Sequence, residues 1–218
     1  MKLIAKLSLS AVLLSATTTV LAYYFLYTPE IRKHPTTTLF IVKNIDKNAE
    51  VFVRLKQKAL LAKDFAKDNY FNETRCFLID MRVASGLKRF FVYNLGKDSI
   101  EAAGLVTHGT GSDKGVEKLS FSNIPNSNAT SLGRYRIGKP YYGQFGLAYK
   151  LYGLDETNDK AFERFVVLHG HRCVPNEEVS PLNICESWGC PTIAPAFLKV
   201  LKTYIDNSSK PVLLWIYY

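Results

Sequence analysis

The spacing of apolar residues changes along this chain, and each change marks an element. From Ile45 to about Tyr70, Val51, Leu55, Ala59, Ala62 and Phe65 recur at spacings of three and four, with lysines and aspartates between them. That period predicts a helix with one apolar stripe. Asn44 or Asp46 is the candidate cap at its start. The pattern then shortens. Cys76-Phe77-Leu78-Ile79-Asp80 and Arg89-Phe90-Phe91-Val92-Tyr93 are aromatic-rich and β-branched, with Ser85-Gly86 between them and Gly96-Lys97-Asp98 after. They predict two strands joined by a tight turn, with a third over Glu101 to Thr107. A glycine turn at Gly133 leads into an alternating strand ending near Gly138, and Leu147 to Gly153 alternates again. Phe165-Val166-Val167-Leu168 is a continuous apolar run, the pattern of a buried strand, and it delivers His169 at its C-terminal end. Pro195 to Ile205 predicts a short helix with Ala196, Phe197, Val200, Leu201 and Tyr204 on one face. Pro211 to Tyr218 closes the chain as a strand. The expected fold is mainly β, with an N-terminal helix and a short helix after Cys190.

Ahead of these elements the chain carries a different signal. Lys2 and Lys6 precede an uncharged run from Leu7 to Tyr27. This reads as an export signal, with Val20-Leu21-Ala22 as a small-residue cleavage site. The 21-residue run is also long enough to span a bilayer, so a membrane anchor is the alternative. Either way the basic flank lies before the run, which puts the rest of the chain outside the cytoplasm. The expected location is periplasmic or cell-envelope. Pro29 to Thr38 reads as a linker. The division is 1–27 as signal peptide or anchor, 28–74 as linker and N-terminal helix, and 75–218 as the main domain.

Composition adds little. The chain has 218 residues, 47% of them hydrophobic, which suits one sizeable domain. Its formal net charge is +9, but the basic residues are scattered, with no long Lys/Arg block or nucleic-acid motif. No nucleic-acid partner is expected.

The candidate chemistry lies late in the chain, in Ser187-Trp188-Gly189-Cys190-Pro191 and His169-Gly170. A thiolate is a strong nucleophile near neutral pH, and it needs a base or a cationic neighbour to form. Cys190 is the candidate nucleophile and His169 the candidate base. Gly189 permits a sharp turn, so that its own N–H and that of Cys190 are candidates to meet an oxyanion. Ser187 is a candidate to hydrogen-bond within the turn. The group that orients His169 is invisible at this level. Of the four cysteines, Cys173 and Cys185 bracket a Pro-containing loop and form the natural disulfide pair. His169, His171, Cys173, Cys185 and Cys190 lie within 22 residues, yet the spacing lacks the C-x2-C pair of a zinc site. No metal is expected. His108-Gly109-Thr110-Gly111-Ser112 reads as a loop whose glycines allow close backbone approach; it is not a phosphate loop, and its histidine reads as structural. On residue chemistry alone, a disulfide-tied loop without catalysis stays open beside the nucleophile reading.

Taken together, these motifs resemble those of YkuD-like L,D-transpeptidases. The shared features are His169-Gly170, a sixteen-residue spacer, and Ser187-Trp188-Gly189-Cys190. The Ser-x-Gly-Cys-Pro form, with Phe121-Ser122-Asn123, Ser131-Leu132-Gly133, Tyr141-Tyr142-Gly143 and Trp215-Ile216-Tyr217-Tyr218, is closer still to the murein L,D-transpeptidase catalytic-domain branch. The resemblance covers about residues 75 to 218. It implies a β-sandwich or barrel-like catalytic domain that needs no cofactor. It also implies a Cys190 thioester with a peptidoglycan stem peptide, resolved by an amine acceptor, with backbone N–H groups around Trp188 to Cys190 holding the oxyanion. Water as acceptor gives an L,D-carboxypeptidase, and loss of turnover gives an inactive wall-binding protein. Tyr141, Tyr142, Arg134, His108 and Gly170 are the implied substrate-side candidates. Arg136 is a further candidate for stem-peptide carboxylates, and the Arg172–Glu186 segment for a lid. Two departures stand out. Trp188 occupies a position where the wider family has histidine, and Pro191-Thr192 replaces an apolar-Asn pair.

Overall fold

The computed structural model describes residues 47–218 apart from 114, 116 and 117. The expected signal or anchor, the Pro29–Thr38 linker and the cap candidates Asn44 and Asp46 lie outside the described residues. Within them, helix α1 (Lys47–Asp68) comes first. It is followed by β1 (Arg75–Asp80), β2 (Phe90–Asn94) and β3 (Ser99–Gly104), then β4 (Gly133–Gly143) and β5 (Gly146–Gly153). β6 (Val167–Gly170), β7 (Thr192–Ile193), helix α2 (Pro195–Asp206) and β8 (Leu213–Tyr217) complete the order. The protein is mainly β, with one helix before the sheet and one late in the chain. Among the described residues no helix is long and apolar enough to cross a membrane.

All eight strands form one sheet in the order β3-β2-β1-β8-β4-β5-β6-β7. Its centre is the parallel pair β1–β8, with Cys76 opposite Leu213 and Asp80 opposite Tyr217. These central strands are apolar on both faces, because both faces are covered. Phe77, Ile79, Phe90, Val92, Leu214 and Ile216 point into one core, where α2 adds Leu198 and Leu201. The alternate residues Cys76, Leu78, Phe91, Tyr93, Leu213 and Tyr217 point into a second, where α1 adds Leu55, Ala59, Ala62 and Ala66. The three alanines leave room for the helix backbone to lie close to the sheet. The far edges of the sheet also meet: Val106, just beyond β3, bridges Ile193 of β7. That bridge carries the segment after β3 to the strand after Cys190.

Several sequence boundaries shift. The third strand ends at Gly104 rather than Thr107, and β4 runs on through Tyr141-Tyr142-Gly143. The largest correction concerns Phe165. It is not the first residue of a buried strand: it has φ +57 and is 84% exposed, and the strand begins at Val167. A continuous apolar run does not reveal where pairing starts.

Candidate active site

β6 and β7 bring the chemistry together. They pair in parallel, with His169 opposite Thr192 and Gly170 opposite Ile193. β7 starts two residues after Cys190, so strand pairing fixes the cysteine turn against the histidine strand. Cys190 and His169 line one cavity of about 270 Å³, together with Phe145, His171, Cys173, Glu186, Ser187, Trp188 and Thr192.

The cysteine turn is held by its own backbone and by the Thr107–Thr110 segment. The Ser187 N–H donates to the His108 carbonyl at 2.9 Å, and the Thr110 N–H donates to the Ser187 carbonyl at 2.8 Å. Ser187 Oγ lies 2.6 Å from the Cys190 carbonyl, to which it donates, and accepts the Gly189 N–H at 3.2 Å. The Gly189 N–H is therefore engaged inside the turn in this arrangement, while the Cys190 N–H has no acceptor among the described residues. Gly189 has φ +105, a region that disfavours any side chain. A Cβ on Gly109 would stand 2.0 Å from the Asn128 carbonyl oxygen and 2.8 Å from Gly189 Cα. The close approach read from the His108–Ser112 glycines is thus made onto the nucleophile turn.

The Cys190 sulfur accepts the Val167 N–H at 3.4 Å and lies 3.8 Å from the Phe165 carbonyl oxygen. Burial raises its thiol pKa above the ordinary value, partly offset by the Val167 N–H and the charge of Arg164. Arg164 was missed in the sequence. Its guanidinium donates to the carbonyls of Ser122 at 2.9 Å and Ala129 at 2.6 Å, and so clamps the loop against which Gly189 packs.

His169 is buried and stacked on Phe145, with ring centroids 4.4 Å apart. Phe145 reaches it from the two-residue turn between Gly143 and Gly146, which face each other across the β4–β5 hairpin. The His169 Nε2 lies 3.0 Å from Thr192 Oγ1, and its Nδ1 lies 3.3 Å from the Gly170 carbonyl oxygen. Thr192 is thus the orienting partner that sequence reasoning left open. Only strand register reveals its partner. His169 and Cys190 share the cavity but do not hydrogen-bond each other in this arrangement. Burial lowers the His169 pKa, with His171 adding to the fall and the Gly170 carbonyl opposing it. Both shifts favour uncharged forms, so the resting pair is thiol and imidazole.

The remaining candidates divide. Trp188 is 78% exposed at the cavity rim, and Tyr142 and Gly170 line the adjoining groove. Tyr141 is near enough for the Cys190 charge to help raise its phenol pKa, after burial. Arg134 is not a cleft residue: its guanidinium pairs with Asp155, with Nε–Oδ1 at 2.9 Å, and lies over the Phe65 ring on the α1 side. Arg136 lies over Tyr152 instead. His108 is buried behind the turn, where Arg89 donates to its Nδ1 at 3.0 Å. A guanidinium can only donate, so the proton of the neutral ring sits on Nε2. Nε2 approaches Glu186 at 3.5 Å, and Asp113 completes a cluster of three candidate ligand groups. A protonated Nε2 has no lone pair for a cation, so the cluster does not fit a metal.

Cys173 and Cys185 are joined by a disulfide with a Cα–Cα distance of 6.0 Å. Val174 and Ile184 pin the intervening loop into a small core with Leu105 and Ala194, and the Val179 N–H bonds to Gly86 at 2.9 Å. The loop is a fixed wall of the cavity, with Cys173 and Glu186 facing it.

Acid should destabilise this region. His169 and His108 both have folded pKa values below the unfolded value of about 6.5. The unfolded chain therefore takes up protons first. Stability is full above about pH 6.5 and falls as pH drops from there toward the folded values, by up to about 1.4 kcal/mol per pH unit per histidine. Glu101 and Asp155 have lowered pKa values and act only further down the acid range. Urea midpoints at pH 7.5 and 5.5 check this; equal midpoints would refute it.

The model of the L,D-transpeptidase catalytic domain family matches residues 47–217, and the chain belongs to that family. No curated protein matches the chain. Among solved structures, it is similar to the helical cell shape determining protein of Campylobacter jejuni, at 15% identity and a TM-score of 0.43, covering 66% of this chain and 47% of that one. It is also similar to an L,D-transpeptidase from Mycobacterium smegmatis, at 12% identity and a TM-score of 0.39, covering 66% of this chain and 59% of that one. A third, the L,D-transpeptidase of Xylanimonas cellulosilytica, has 12% identity and a TM-score of 0.37, with 66% and 60% covered. The chain thus spans about half to three-fifths of the length of these structures.

Proposed function

We propose that the protein is a peptidoglycan L,D-transpeptidase acting through a Cys190 thioester. The observation that carries this reading is the shared cavity: a free thiol on a turn that requires glycine and a buried neutral imidazole, in a chain of this family. In the first half-reaction, Cys190 Sγ attacks the carbonyl that precedes the terminal D-residue of a stem peptide. His169 takes the thiol proton and passes it to the departing amine as the C–N bond breaks. In the second, the amine of another stem attacks the thioester. His169 takes a proton from the attacking amine as the new amide forms and gives it to the sulfur as the C–S bond breaks. The free Cys190 N–H is suited to the developing oxyanion. The missing His169–Cys190 hydrogen bond is compatible with this scheme, because catalytic hydrogen bonds often tighten only when substrate is bound. The N-terminal run, read in the sequence as a signal peptide or membrane anchor, would suit an envelope substrate.

Incubation with a tetrapeptide-bearing muropeptide tests the proposal. A protein adduct lacking the terminal residue, followed by dimeric muropeptide, is the expected result. Tripeptide alone would assign the same site to an L,D-carboxypeptidase, and no adduct would leave a wall-binding protein.

Thr192 holds His169 in its catalytic orientation. Its hydroxyl donates to Nε2, the basic nitrogen of a ring whose Nδ1 proton faces the Gly170 carbonyl, so it sets the resting orientation and gives way when Nε2 takes the thiol proton. Thr192→Val keeps the shape and removes the hydrogen bond. It should lower kcat/KM about 10- to 100-fold, while Thr192→Ser restores most of the loss. Steady-state kinetics reads the loss; an equal loss in Thr192→Ser would assign Thr192 to packing alone.

A further inference from the structure

Beside the thiol cavity runs a second, larger groove of about 740 Å³ that shares Phe145 and His171 with it. Its polar lining consists of groups able to donate: His171, Arg172, Lys199, Lys202, Tyr142 and Gln144. No carboxylate lines it. Lys202 is paired with Asp206, while Arg172 and Lys199 have no ion-pair partner among the described residues. His171 Nδ1 accepts the Cys173 N–H at 3.2 Å, which leaves the proton of the neutral ring on Nε2.

Two elements converge to build this lining. His171 and Arg172 follow directly from β6, and Lys199 and Lys202 come from α2. They meet because Gly170 has no side chain: a Cβ there would stand 3.1 Å from Pro195 Cα. α2 turns Leu198 and Leu201 into the core, and the two lysines flank that stripe on the exposed side. Four basic residues thus gather in the groove beside the nucleophile cavity, in a chain whose basic residues are otherwise scattered.

We propose that this groove binds the carboxylates of a peptide whose acyl carbonyl sits at Cys190, with Arg172 and Lys199 as the charged contacts. The substrate class is therefore an anionic peptide branch rather than a neutral or amidated one. This rests on the reading of Cys190 as an acyl-transfer nucleophile. Two features favour a carboxylate peptide over a long polyanion. The groove adjoins the thiol cavity, sharing Phe145 and His171 with it, and its donors include Tyr142 and Gln144, which suit a mixed peptide surface better than a run of phosphates.

The test is a binding cycle on the full chain carrying Cys190→Ala, so that no turnover intervenes. The probes are a stem tetrapeptide with free carboxylates and the same peptide with its carboxylates amidated, followed by calorimetry. The free acid should bind more tightly. Arg172→Ala and Lys199→Ala should each weaken it about threefold to fivefold, the range of an exposed ion pair, and leave the amidated peptide unchanged. Lys63→Ala, which removes the same charge from α1 across the sheet, should change neither. Equal losses for both peptides, an equal loss in Lys63→Ala, or displacement of the peptide by an equimolar short oligothymidylate would each overturn the proposal. Intact-mass detection of the thioester with the unsubstituted protein is read separately. If no thioester forms while the carboxylate preference persists, the acyl-transfer reading fails and the groove stands. If the thioester forms without the preference, the reverse holds.

Discussion

Cys190→Ala should abolish the covalent adduct with a tetrapeptide donor and lower cross-linking by roughly 10⁴- to 10⁶-fold, the scale on which loss of a nucleophile acts. The fold should survive. The sulfur makes only a 3.4 Å contact with Val167 and a longer one with Phe165, while the turn is held by Ser187, Gly189 and the Cys190 carbonyl. Circular dichroism and the thermal midpoint should stay close to wild type. Intact mass after donor incubation is the decisive reading, and an adduct persisting in the variant would end the thioester mechanism. Cys76 is no substitute nucleophile: it is buried between the sheet and α1, where burial pushes its thiol pKa far up.

His169→Gln should cost about 10²- to 10⁴-fold in kcat/KM, the usual worth of general acid–base catalysis. The pH profile carries the sharper information. With the folded pKa of His169 below the ordinary value, the base stays uncharged further into acid than a free imidazole does. Activity should therefore hold through about pH 6.5 and decline only below it. In His169→Gln that acid limb should vanish from the residual rate. A wild-type limb centred above pH 7 would contradict the buried, neutral histidine. Glutamine keeps a polar end for Thr192, so the comparison separates proton transfer from packing against Phe145.

Local period made much of this molecule legible. The three-and-four spacing of Leu55, Ala59 and Ala62 gave α1, and all three are buried. The aromatic runs gave β1 and β2, whose both-faces-apolar character follows from their central place in the sheet. Long-range pairing was not legible. β7 is only two residues long and exists because β6 lies beside it. Thr192 acquires its contact with His169 from that register alone. Arg134 looked available because its partner, Asp155, is 21 positions away and meets it only across a folded turn. Phe165 looked buried because apolar runs carry no mark of a left-handed residue. The turn at Cys190 was readable because glycine there has a steric cause, whereas Arg164 was not, because a clamp on loop carbonyls leaves no motif.

The reciprocal bonds between Thr107 and Thr192 have a consequence for how the protein fails. The Thr107 N–H donates to the Thr192 carbonyl at 2.9 Å, the Thr192 N–H donates to Thr107 Oγ1 at 3.2 Å, and Thr107 Oγ1 also reaches the Cys190 carbonyl at 3.2 Å. This stitch joins the segment after β3, near one edge of the sheet, to β7 at the other. The cysteine turn therefore cannot fray alone while the sheet stays closed. Opening it means parting the two edges, a cooperative event rather than a local one. The Thr192 amide should exchange with solvent deuterium as slowly as the central β1–β8 amides, and heat should remove activity and fold together.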